Sequence, residues 1–78
     1  MKTKELEKGL KKILKKEKCR YRRVTVDIVS RGIEGTTLEY VIRVKNDNYS
    51  EIRAALLKYH PTMTVETQFK FVKGVLVV

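Results

Sequence analysis

Leu6, Leu10, Ile13 and Leu14 recur at the three- and four-residue spacing that gathers apolar side chains on one face of a helix. The spacing predicts an amphipathic helix over residues 3–18, weakened only at Gly9. From Tyr21 to Arg31 the period drops to two, with Val24, Val26 and Ile28 on one face and Arg23, Thr25 and Asp27 on the other. Arg31-Gly32-Ile33-Glu34-Gly35 then supplies two glycines able to take positive φ. Leu38, Tyr40, Ile42 and Val44 alternate against Glu39, Val41, Arg43 and Lys45, which completes an expected β-hairpin. Asn46-Asp47-Asn48 is turn chemistry, and Asn48 with Glu51 has capping-box spacing for a second helix. That helix is expected to bury Ile52, Ala55, Leu56 and Tyr59 and to stop near His60, because Pro61 disfavours helical backbone before it.

Met63, Val65, Thr67, Phe69 and Phe71 alternate with Thr64, Glu66, Gln68 and Lys70, which predicts a third half-buried strand. Lys73-Gly74 allows a tight turn after it. Val75-Leu76-Val77-Val78 shows no alternation, so the last strand is expected either inside the sheet or covered by a second copy of the chain, as a homodimer. The expected fold is a single small α+β domain of αββαββ order: a four-stranded, mainly antiparallel sheet with both helices on the face lined by Val26, Ile42 and Phe69. The order is also that of tandem αββ units, 3–45 and 48–78, with Val24-Thr25-Val26-Asp27 aligned on Met63-Thr64-Val65-Glu66.

With 78 residues the chain holds one modest core. No apolar run approaches the roughly 20 residues of a membrane span. Cys19 is the only cysteine, so neither an intrachain disulfide nor a cysteine-based metal cluster is expected, and a reducing, cytoplasmic setting fits. Charge changes the picture most. The formal net charge is +9, yet residues 1–23 carry eleven Lys and Arg against three Glu, whereas residues 24–78 carry seven against six acids. A local surplus of this kind points to a polyanionic partner.

On the predicted first helix, Lys4, Lys8, Lys11, Lys15 and Lys18 fall opposite the apolar face at about 100° per residue. They form a basic ridge about 20 Å long, without interleaved acids, that runs into Arg20, Arg22 and Arg23. The ordinary meaning of such a ridge is a solvated helix face. Its isolation from acids favours nucleic-acid binding, DNA or RNA, with backbone contacts and little sequence selectivity. By parity Tyr21 is the one aromatic expected on the open sheet face, near Arg23 and Arg43. Phe69-Lys70-Phe71-Val72 resembles the aromatic strand of RNA-recognition motifs in spacing but lacks that motif's glycines, so it identifies no family.

Asp27, Glu39 and Glu66 share the open face and invite a metal-dependent nuclease reading; cross-strand pairing with Arg23, Arg43 and Lys70 is the simpler expectation. No catalytic residue, metal site or cofactor is therefore assigned. His60, in a helix-ending His-Pro pair, and Cys19, at a helix–strand junction, are given no chemistry. An anionic membrane would use the same lysines less well, because the helix lacks interfacial Trp or Phe. A small basic regulator that binds an acidic protein would show the same asymmetry and is the alternative function.

Overall fold

The structure, a computed structural model, describes residues 3–78. Helix α1 spans Thr3–Lys16, with Glu5 in its first turn and Lys15 and Lys16 in its last, the arrangement that complements the helix dipole. Leu6, Leu10, Ile13 and Leu14 are all buried. The helix closes earlier than its periodicity predicts. Lys18 takes a left-handed φ of 58° and the Cys19 N–H reaches back to the Leu14 carbonyl at 2.8 Å. Lys18 thereby leaves the basic ridge.

Strands β1 (Tyr21–Gly32) and β2 (Gly35–Val44) form the expected hairpin. Of its two turn glycines only Gly35 uses positive φ, at 140°, where an added Cβ would press on the Val78 carbonyl. Helix α2 spans Tyr49–Tyr59, with His60 as its C-cap; short β3 (Glu66–Gln68) and β4 (Phe71–Val77) follow. The sheet is antiparallel throughout, in the order β1-β2-β4-β3. Both helices pack on one face of it, against Val24, Leu38, Tyr40, Ile42, Val72 and Leu76. The hairpin outreaches the helices, which leaves Ile28 exposed although it continues the core face of Val24.

The second half departs from its sequence pattern in frame. Phe69 and Lys70, not Lys73-Gly74, make the turn, and Lys70 sits at φ 68°. Lys73 and Gly74 lie inside β4, whose Val72, Gly74 and Leu76 face the core while Phe71, Lys73 and Val75 face away. Gly74 is required because the Met63–Thr64 segment crosses over it: a Cβ there would collide with the Thr64 carbonyl. That carbonyl accepts the buried Tyr40 hydroxyl at 2.7 Å, and the Thr64 hydroxyl accepts the Val75 N–H at 2.8 Å. Residues 63–65 are therefore a core-covering segment instead of a strand. β4 lies between β2 and β3, but β3 pairs only with Phe71–Lys73; of the apolar run, Val75 bonds Thr64 and Leu76 is buried, while Val77 and Val78 stay exposed. The capping box does not form either: the Asn48 side chain donates to the Arg20 carbonyl at 2.8 Å and makes no cap bond to α2.

Candidate nucleic-acid interface

On the sheet face away from the helices, the register sets Arg23 opposite Arg43, Arg43 opposite Phe71 and Phe71 opposite Gln68. One residue from each strand thus makes a row across the sheet. The next row is Thr25, Val41, Lys73 and Glu66, and the one after it Asp27, Glu39 and Val75. Among the described residues the expected neutralising pairs between these acids and the arginines do not form. Arg23 faces Arg43 in one row and Asp27 faces Glu39 two rows on, with Glu66 opposite Lys73 between them, so the open face is polarised along β1 and β2. Among the described residues no ion pair reaches Arg22, Arg23 or Arg43.

A register shift between Tyr21 and Arg23 makes Arg22 the extra residue of a β-bulge. The shift reverses the face of everything before it. Tyr21 consequently pairs with Val44 and packs partly buried against the core, a correction to its expected place on the open face. Arg22 itself turns toward the arginines. With Arg23, Thr25, Val41, Arg43 and Phe71 it lines a hollow of about 440 Å³, and with Arg43 and Lys70 it lines the adjoining one.

The aromatics also differ from expectation. Phe69 is 82% exposed and Phe71 37% exposed, where parity had set both in the core. The turn carrying Phe69 is held from two sides: the Lys70 N–H donates to the Tyr49 hydroxyl at 2.7 Å and its carbonyl accepts the Val44 N–H at 3.0 Å. Lys70 Nζ lies 5.3 Å from the Phe69 ring centre. Phe69, Phe71 and Lys73 are additions to the candidate surface that the sequence frame hides, whereas Lys70 is on the open face in that frame too. The usable signal was the alternation of Val72, Gly74 and Leu76 against Phe71, Lys73 and Val75.

The helix ridge keeps Lys4, Lys8, Lys11 and Lys15, all exposed and directed away from the sheet. It is not free of acids: Glu7 lies 3.8 Å from Lys11 at i,i+4, a weak exposed pair. Lys11, Lys15, Arg20, Tyr21 and Lys45 line a hollow at the end of α1. The single continuous basic surface expected from the sequence is thus two surfaces, one on the helix side and one on the open sheet face, with the bulge at Arg22 between them.

The remaining candidates carry no chemistry that the geometry can use. Cys19 is buried, its thiol donates to the Glu51 carbonyl at 3.5 Å, and burial followed by the charges of Glu51 and Glu17 pushes its pKa above the usual 9.0. Its basic sequence neighbours do not lower it. Asp27 and Glu39 adjoin, but Glu66 sits against Lys73, and the described residues contain no group of three His, Cys, Asp or Glu placed to hold a metal. Among the described residues no helix is long and apolar enough to cross a membrane. Comparison with family models, curated proteins and solved structures finds no match.

Proposed function

We propose that this chain binds nucleic acid, holding phosphates between Arg22, Arg23 and Arg43 on the open sheet face, with the α1 ridge as a second patch. The observation that supports this reading is the register pair Arg23–Arg43, two arginines at directly opposed strand positions with no acid paired to either among the described residues. Folding alone gains nothing from it, because like charges opposed across strands are destabilising. A phosphate between them turns that repulsion into two charge-assisted, bidentate contacts. Such contacts position a backbone without reading bases, so affinity exceeds sequence selectivity. The two basic surfaces lie on opposite sides of the sheet, and a straight duplex engages one or the other. The reading is of binding without catalysis.

The test is a titration of duplex DNA, single-stranded DNA and structured RNA at two salt concentrations, with an acidic polypeptide as control. Three neutralised phosphates give a slope of log K against log salt of about −2.7 on duplex and about −2 on single strands. A flat dependence ends the reading. Binding to the acidic polypeptide alone transfers the site to a carboxylate-rich protein partner.

A further inference from the structure

We infer that the open-face groove takes single-stranded nucleic acid, crossing the strands with a base stacked on Phe71 and the phosphates that lead to it on Arg43 and then Arg23. This rests on the nucleic-acid reading above and specifies the form of its ligand. The row Arg23, Arg43, Phe71, Gln68 crosses all four strands. At about 4.8 Å per strand it is roughly 14 Å long, room for the two or three bases that sheet surfaces commonly stack. Phe71 stands in the middle of that surface and is 37% exposed, which leaves ring face available to a base. The hollow of about 440 Å³ between Phe71 and the three arginines is of a size that holds one planar heterocycle with its phosphate.

The form of the ligand follows from where the aromatic sits. Duplex bases already stack on one another, and a ring fixed on a sheet surface cannot enter that stack, so only unpaired bases can use Phe71. Gln68, next in the row, offers an amide to a base edge. The acid pair Asp27 and Glu39 lies two rows away and repels phosphates, which confines the strand to the end of the sheet that carries Arg22, Arg23, Arg43 and Lys70. On that side the second exposed aromatic, Phe69, is held at the β3–β4 turn by the two bonds to Lys70. Charge and aromatic surface therefore converge at one end of the face, and a purely acidic protein partner would leave both rings unused.

The test is fluorescence anisotropy with labelled ten-nucleotide single strands, DNA and RNA, against a duplex of the same sequence, using wild type, Phe71→Ala, Phe71→Leu and Phe71→Trp, each checked for fold by circular dichroism. Wild type is expected to prefer single strands. Phe71→Ala and Phe71→Leu are expected to weaken single-strand binding roughly 5- to 150-fold and duplex binding less than about twofold, while Phe71→Trp retains it. Phe71→Leu keeps apolar bulk without a π face, so it separates stacking from packing. Equal losses on both ligands, or none, overturn the stacked single strand and leave phosphate binding standing. No binding of any nucleic acid by wild type at low salt overturns both readings.

Discussion

Arg43→Glu is expected to stabilise the fold while abolishing binding. Arg43 faces Arg23 across the β1–β2 ladder and shares a hollow with Arg22, Lys70 and Asp47, so a carboxylate there has three cationic neighbours against one acid. Removing a directly opposed like-charge pair is worth about 0.2–1 kcal/mol, and installing an opposite pair about as much again. All of these side chains are exposed, so solvent screening holds the total to the lower half of the combined range, at most about 1 kcal/mol. For a domain of this size that raises the thermal midpoint by roughly 4–8 °C. Arg43→Gln removes the repulsion only and should show about half the effect. Arg23→Glu combined with Arg43→Glu restores a like pair and should lose the gain; with wild type and each single Glu variant it completes a double-mutant cycle. The gain should also shrink toward 1 M salt, where the Debye length is about 3 Å. Binding by Arg43→Glu should fall at least tenfold by anisotropy. A lowered midpoint, or a raised one with unchanged affinity, would refute the claim that the arginine pair is kept for a ligand.

Three further outcomes are expected. Gly74→Ala should cost about 2–4 kcal/mol by urea denaturation, since it displaces the Thr64 carbonyl and with it the Tyr40 hydroxyl bond, whereas Gly9→Ala, with open space around its Cβ, should gain about 0.5–1 kcal/mol; equal effects would sink the crossing-segment argument. Lys8→Glu, Lys11→Glu and Lys15→Glu together should leave the fold intact and weaken single-strand binding less than Arg43→Glu; the reverse ranking would make the helix the principal surface. Because the folded Cys19 thiol holds its proton beyond the usual 9.0, stability is full below that pH and falls as pH rises toward the folded value; Cys19→Ala should remove this part of the decline, while Tyr40, also raised from 10.0, adds its own one unit higher. Rapid labelling of native Cys19 by a thiol reagent at pH 8 would contradict its burial.

Element order, the two helices, the hairpin and most of the core followed from apolar periodicity alone: Leu6, Leu10, Ile13 and Leu14, and Leu38, Tyr40, Ile42 and Val44, are all buried. What periodicity could not show was frame. A bulge inserts one residue without changing composition, and at Arg22 it moved Tyr21 from the open face to the core. The turn at Phe69-Lys70 carries none of the usual turn residues, since tertiary bonds from Tyr49 and Val44 hold it, whereas Lys73-Gly74 looked like a turn because a glycine was needed for close approach. Asn48 found a partner in Arg20, far away in sequence, in place of its own helix. The arginines of the site were identified from charge. Their mutual opposition and the exposed phenylalanines depend on the register of strands that are distant in sequence, which local pattern does not encode.

The strand order also dictates how the molecule comes together. β1 and β2 close through a short turn, Gly32 to Gly35, and can meet as soon as both exist. The inner edge of β2 waits much longer, because its partner β4 begins at Phe71, after α2 and the crossing segment have been made. Until then the hairpin presents an unpaired edge and an uncovered Tyr40 and Ile42, the features by which nascent sheets aggregate. Closure of β2 on β4 is thus the non-local, loop-closing step of folding, and it is expected to limit the rate. Substitutions that disturb Gly74 or the Thr64 crossing should slow refolding, whereas those in the hairpin turn should chiefly change how readily the first half of the chain takes shape.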